Sequence, residues 1–343
     1  MNLLQPIDRS FSVKGLRLHL LDWGGEGRTP LLLLHGFTGH AHAWDTLSIA
    51  LQPHFHVYAL DQRGHGDSDP AEVYNPAVAF DDISGVIGEL GLKSLVLVGL
   101  SMGGRNAIYF TSKRPELVQK LVIVDIGPEI SKRAAAAPAG PPEPATWDSI
   151  EQAAQHLYRG NPNPGIHYYR WVASTSLRQR ADGALVWAWH PSVKERRSQL
   201  DIDWWAVLKS ITAPTLVLRG ESSTVLDRDV AERMGKELPH GRFVEIPRAV
   251  HTLHEDNPEA VLAALKEFLR VLGLLELQIL VRRRVRVAPD QADAGLLEPG
   301  ADPPGERQLV DRDVRHPVEQ DLLDLMDQRL APLHVDLARL TLE

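Results

Sequence analysis

A chain of 343 residues, 43% hydrophobic and 24% charged, has room for one large folded unit carrying an insertion, or for two modest domains. Its formal net charge of -8 argues against a general attraction to nucleic acid or to an anionic membrane. With no cysteine in the chain, disulfides, thiolate catalysis and cysteine-ligated zinc are excluded.

The first residues, MNLLQPIDRSFSVKG, lack a basic segment followed by a sustained apolar one, so they do not read as a secretory leader. No segment approaches the roughly 18 uninterrupted apolar residues that a spanning helix needs. A cytoplasmic protein without membrane insertion is the expectation. From there, short apolar runs alternate with amphipathic stretches of helical length, the pattern of βαβ units on a largely parallel sheet. The runs predict strands at Leu16–Asp22, Pro30–Leu34, His56–Leu60, Ser94–Gly99, Leu121–Asp125, Pro214–Arg219 and Arg242–Ile246. LLLL and SLVLVG are nearly continuous, as strands covered on both faces require. Helices are predicted at about Ala43–Leu51, Pro76–Leu90, Met102–Lys113, Asp227–Leu238 and Pro258–Leu272. In the last of these Asn257 can cap, Pro258 suits the first turn, and Val261, Leu262, Leu265, Phe268 and Leu269 form an apolar stripe.

Between Ile126 and Ile211 the alternation breaks down. The stretch opens on Ala134–Ala137 and PAGPPEP, a linker by composition, and continues through an aromatic-rich region that includes Trp147, Tyr168, Tyr169, Trp171, Trp187 and Trp189. That composition suits a helical lid on an apolar pocket, and equally a small core of its own. The expected boundaries are core residues 1–127, a lid at 128–210, core again at 211–272, and an appendage of unknown role at 273–343.

The strongest local signal is Gly99-Leu100-Ser101-Met102-Gly103, between a predicted strand and a predicted helix. Glycines flank a serine in this way when the serine sits on a tight turn that lifts its hydroxyl above the sheet, at the positive end of the next helix. A serine needs a base within reach. His251, in AVHTLHEDNP after the last predicted strand, lies where a loop can return over the nucleophile; His254 competes with it. The HTLH, HAH and HFH spacings lack the matching carboxylate of a helical zinc site, so no metal and no other cofactor is expected.

HGFTGHAHAW, DQRGHGDSD, GLSMGG and AVHTLHEDNPEA, in this order, resemble the α/β-hydrolase superfamily and in particular its lid-bearing carboxylesterases, over roughly residues 10–272. The resemblance implies an eight-stranded, mostly parallel sheet flanked by helices, with a lid inserted after the sixth strand. It also implies an oxyanion hole made by the backbone N–H groups of Phe37 and Met102, with His35 supporting the loop and Asp61–Ser68 packing beneath the site. The triad acid is where the chain departs from the pattern: Thr224 stands where relatives most often carry aspartate. Asp125, 24 residues beyond Ser101, occupies an alternative acid position known in the superfamily, with Ser223 as an auxiliary hydrogen-bond partner. Glu221 and Asp227 are the other candidates. Taken together, the expectation is a carboxylic ester hydrolase using Ser101, His251 and Asp125 on a small-molecule ester. Thioesterase, lactonase, carbon–carbon bond hydrolase and perhydrolase chemistry would use the same parts, and a non-catalytic binder of the same fold is the reading from another class. The aromatic insertion favours an apolar acyl or alcohol group.

Overall fold

The computed structural model describes residues 5–129, 131, 144–198 and 200–270. The expected C-terminal appendage, and most of the Ala/Pro-rich linker, lie outside the described residues. Eight strands form one sheet in the order β1-β2-β4-β3-β5-β6-β9-β10. They are β1 (Ile7–Val13), β2 (Leu16–Asp22), β3 (Pro30–Leu34), β4 (His56–Leu60), β5 (Leu95–Leu100), β6 (Val118–Val124), β9 (Thr215–Gly220) and β10 (Gly241–Ile246). β1 and β2 make an antiparallel hairpin, β2 runs antiparallel to β4, and every later pair is parallel. All the parallel strands therefore deliver their C-terminal ends to one edge, where an open α/β sheet places its ligands.

The apolar runs form central strands because both faces are covered. Leu32 and Leu34 enter one core cluster while Leu31 and Leu33 enter the other, since successive side chains point to opposite faces. One face lies beneath α2 (Pro76–Glu89), α3 (Met102–Lys113) and α8 (Arg228–Glu237), and the other beneath α1 (Asp45–Leu51) and α10 (Pro258–Leu269), which follows the short α9 (Leu253–Asp256). Asn75 and Asn257 cap α2 and α10 with their side-chain oxygens, each followed by a proline whose missing N–H costs nothing there. In the sheet and the helices that cover it, element positions agree with the sequence pattern to within a few residues, except at β1. β1 was not anticipated, because as an exposed edge strand it has no continuous apolar face to betray it.

Between β6 and β9 the chain leaves the sheet. The insertion holds α4 (Ile150–Gly160), α5 (Ile166–Ser176), a hairpin of β7 (Leu177–Gln179) and β8 (Leu185–Trp187), α6 (Ser192–Glu195) and α7 (Trp204–Lys209). Trp147, Tyr168, Tyr169 and Trp171 give it a small core of its own. Hydrogen bonds to the core fasten it above the sheet edge, among them His40 Nε2 to Ser176 Oγ at 2.7 Å and Tyr74 Oη to Ser192 Oγ at 2.6 Å. Among the described residues, no helix is long and apolar enough to cross a membrane.

Candidate active site

Ser101 stands between β5 and α3 with φ 52° and ψ −115°, a left-handed conformation that a residue with a side chain adopts at a cost of about 1–3 kcal/mol. The flanking glycines make that turn possible. A Cβ at position 99 would strike the backbone of Gly103, and one at 103 would strike the carbonyl oxygens of Leu34 and His35. The start of α3 is thereby pressed against the end of β3. The Ser101 N–H donates to the Val124 carbonyl at 2.9 Å, which fixes the turn beside the end of β6.

The next residue along β6 is Asp125, fully buried and also left-handed at φ 49°. Its Oδ1 accepts the Gly220 N–H at 3.1 Å. Its Oδ2 accepts the Ser223 hydroxyl at 2.5 Å and lies 2.8 Å from His251 Nδ1. The Ser223 oxygen in turn accepts the N–H groups of Val225 and Leu226 at 3.1 and 3.3 Å, so its own proton is directed to the carboxylate. An aspartate bonded to Nδ1 selects the tautomer that carries its proton there and leaves Nε2 as a lone-pair acceptor. Neither His251 Nε2 nor Ser101 Oγ has a hydrogen bond among the described residues, to each other or to a third group. Such bonds commonly tighten only when substrate is bound.

The other carboxylates considered are engaged elsewhere. Glu221 accepts the Arg248 N–H at 2.8 Å, Asp227 accepts the Ser131 hydroxyl at 2.8 Å, and Thr224 is exposed. His254 is enclosed: its ring stacks on Trp44 at 4.4 Å between centroids, and burial presses its pKa down to about 3. A base that buried has no route to a substrate. His251, with 31% of its side chain exposed, has one.

The loop after β3 lies against the serine. A Cβ on Gly36 would sit 3.5 Å from Ser101 Cβ. His35 holds this loop through Nδ1, 2.7 Å from the Gly36 carbonyl, and through Nε2, which accepts the Gln62 N–H at 3.0 Å. The Gln62 amide bonds back to the His35 carbonyl and receives Asn106 from α3. The N–H groups of Phe37 and Met102 have no acceptor among the described residues; Met102 is in the first helical turn, where N–H groups point outward. A cavity of about 140 Å³ opens between this loop and the insertion, lined by Thr38, His40, His42, Trp171, Trp187 and Trp189 among others. Ser101, Asp125, Ser223, His251 and the Phe37 loop are thus all carried by segments at the C-terminal edge of the sheet. That edge could hold a nucleophile, a base, a carboxylate and two free amide donors in one place.

A family model described as the alpha/beta hydrolase family matches residues 31–264, about two thirds of the chain. The chain belongs to that family. The hydrolase is similar to 2-(acetamidomethylene)succinate hydrolase of Mesorhizobium japonicum, with 31% identity over 249 residues, covering 71% of this chain and 89% of that one. An esterase of Mycobacterium tuberculosis is 28% identical over 272 residues, 75% of this chain and 88% of the relative. A crystal structure of E-2-(acetamidomethylene)succinate hydrolase superposes with a TM-score of 0.68 at 28% identity, over 78% of this chain and all of the other.

In this hydrolase the polar loop Asp61–Ser68 is structural. Asp61 accepts the N–H groups of Ala41 and Asp67 at 2.6 and 2.9 Å and the His19 ring at 2.8 Å. Donor atoms of His19, Asp61 and Asp67 lie within 4.8 Å of one another, the spacing of a metal cluster. Both His19 nitrogens, however, already face carboxylates, Asp61 at 2.8 Å and Asp8 at 3.1 Å. Burial opposes charge on His19, but these two partners outweigh it and raise its pKa from 6.5 to about 9. A protonated imidazole has no lone pair for a metal. Burial likewise opposes charge on Asp61, and the His19 bond overrides it, holding the carboxyl well below its usual range.

The His19 contribution to stability is complete below pH 6.5 and is lost as pH rises through about 9. The Asp61 contribution is present above the ordinary carboxylate range and is lost in acid. Unfolding free energies from urea titration should therefore fall between pH 6.5 and 9.5 by a few kcal/mol, and His19→Gln should flatten that fall.

One contributor was missed in the sequence. The Gly220 N–H, a backbone donor to Asp125, has no side-chain signature. Its glycine has a visible cause only in three dimensions, since a Cβ there would strike the Val250 carbonyl, one residue before His251.

Proposed function

We propose that the chain is a carboxylic ester hydrolase acting through an acyl-enzyme on Ser101. His251 Nε2 takes the Ser101 proton as the oxygen attacks the ester carbonyl. The Phe37 and Met102 N–H groups stabilise the tetrahedral oxyanion, and His251 returns the proton to the leaving alcohol. Water, deprotonated by the same imidazole, then releases the acid. Asp125 keeps the ring in the useful tautomer and stabilises its charged form, and Ser223 steadies Asp125 through the same carboxylate oxygen. The 28% relative named as an esterase supports the ester class. The observation that carries the reading is the Asp125–His251 pair at 2.8 Å, beside a serine on a left-handed turn. The insertion acts in this reading as a lid whose tryptophans wall the substrate cavity.

Mixing the protein with p-nitrophenyl butyrate on a millisecond scale should release about one nitrophenolate per chain in a burst, followed by a slower steady rate. A strictly linear course with no covalent acyl species at any time would count against the acyl-enzyme. A second reading, hydrolysis at an acyl–nitrogen bond, is favoured by the 31% relative, whose named substrate carries an acetamido group. The same machinery serves both, and turnover of p-nitroacetanilide at a rate near that of the ester would select it.

A further inference from the structure

Two cations beside this site have no carboxylate partner among the described residues. Arg105 is one turn along α3 from the nucleophile, its N–H bonded to the Ser101 carbonyl at 3.0 Å. Its guanidinium packs 5.4 Å from the ring centroid of Trp204 and gives one hydrogen bond, to the Gly127 carbonyl at 3.2 Å, two residues beyond Asp125. Its Nε is buried without a partner. Arg197, at the far end of the insertion, holds its guanidinium 5.3 Å from the ring centroid of Phe37, the residue whose N–H faces the proposed oxyanion. Among the described residues neither arginine forms a salt bridge, although most of the other described arginines do. Burial, and after it the charge of Arg197, lowers the Arg105 pKa.

A protein with an excess of 8 negative charges has no shortage of carboxylates for surface pairs. Leaving two like charges uncompensated, one of them with a buried unbonded donor, costs stability unless something else supplies the anion. Their anchor points bracket the nucleophile, one on the loop after β6 and one on the loop after β3. We propose that Arg105 and Arg197 bind a carboxylate on the substrate, so that the preferred esters are those whose acid or alcohol part carries a second, ionised carboxyl group. This rests on the ester-hydrolase reading and narrows it. It also amends the expectation drawn from the aromatic insertion: the tryptophans would hold the carbon chain and the guanidiniums its charged end. Guanidinium suits the task because its planar fork can bond both carboxylate oxygens.

The test compares the mono-p-nitrophenyl esters of glutarate and adipate with p-nitrophenyl esters of the neutral acids of equal length. The readout is the ratio of kcat/KM, anionic over neutral, in which general losses of activity cancel. The native protein should favour the anionic ester by at least about tenfold. Arg105→Gln and Arg197→Gln should each lower that ratio by about 10- to 100-fold, the span of a charge-assisted hydrogen bond. Arg197 is exposed, so its substitution leaves the fold intact. A native ratio near one, or a ratio kept in the double variant, overturns the proposal.

Should neither ester turn over, the hydrolase reading fails instead, and binding decides the anion site. Monomethyl adipate should then quench the tryptophan fluorescence of the Ser101→Ala protein at least tenfold more tightly than dimethyl adipate, and the arginine variants should lose that difference. Equal binding of the two overturns the proposal. Inorganic phosphate serves as the free-anion control. Displacement of monomethyl adipate by phosphate at a similar concentration would show a general anion site, and would overturn the claim of a substrate carboxylate.

Discussion

Ser101→Ala is expected to lower kcat for an activated ester by about 10⁶-fold while leaving the denaturation midpoint unchanged or raised. In the proposed reaction the loss is large because the Ser101 oxygen is the atom that bonds to the acyl carbon. What activity survives would come from the amide donors and from binding alone. The stability prediction follows from the backbone. The left-handed turn is imposed by Gly99 and Gly103 pressing α3 against the end of β3, and it stays whatever side chain occupies position 101. Removing a hydroxyl that has no hydrogen bond among the described residues leaves no partner unsatisfied. A variant that lost activity together with its fold would point instead to a structural serine.

Asp125→Asn is the second large effect, a drop of about 10⁴-fold in kcat, by analogy with the loss of an orienting aspartate in other serine hydrolases. The amide keeps the size and several of the contacts, but can present an N–H where the carboxylate accepted one. The His251 proton is then displaced to Nε2, and the imidazole can no longer take a proton from Ser101. Because Asp125 accepts three bonds, from Gly220, Ser223 and His251, the change also leaves at least one donor badly matched, with a stability loss of about 1–3 kcal/mol. Asp227→Asn and Glu221→Gln are expected to stay within a few-fold of native turnover, since the Ser131 hydroxyl and the Arg248 N–H engage those carboxylates. Steady-state kinetics of the three variants side by side checks the ranking, and the opposite order would reassign the acid.

The βαβ core was readable because its strands are buried on both faces. An unbroken apolar run of five or six residues between turn formers has few other solutions, and Pro30–Leu34 and His56–Leu60 are strands at the limits expected. β1 escaped for the converse reason, with five of its seven residues exposed. The insertion was legible as a break in rhythm and as an aromatic cluster. Its short hairpin was not, because three-residue strands carry no usable periodicity.

Within the site, Ser101 and His251 stand out by motif, whereas Asp125 is singled out by where a strand ends. The bonds that bring Asp125 to His251 connect residues 126 apart and are invisible in the chain. The unbalanced arginines are harder still to see. A sequence rich in both signs of charge gives no hint of which guanidiniums lack a partner, and only the packed structure sets Arg105 and Arg197 beside the nucleophile turn and the Phe37 loop.

The account depends on a single nucleophile made reactive by its surroundings. A fluorophosphonate offers phosphorus to such a serine and mimics the tetrahedral intermediate. After treatment at neutral pH, peptide mapping by mass spectrometry should find one phosphonyl group per chain, on Ser101, and should find almost none in the His251→Ala protein. A label on another residue, or an unreactive Ser101 in native protein, would contradict it.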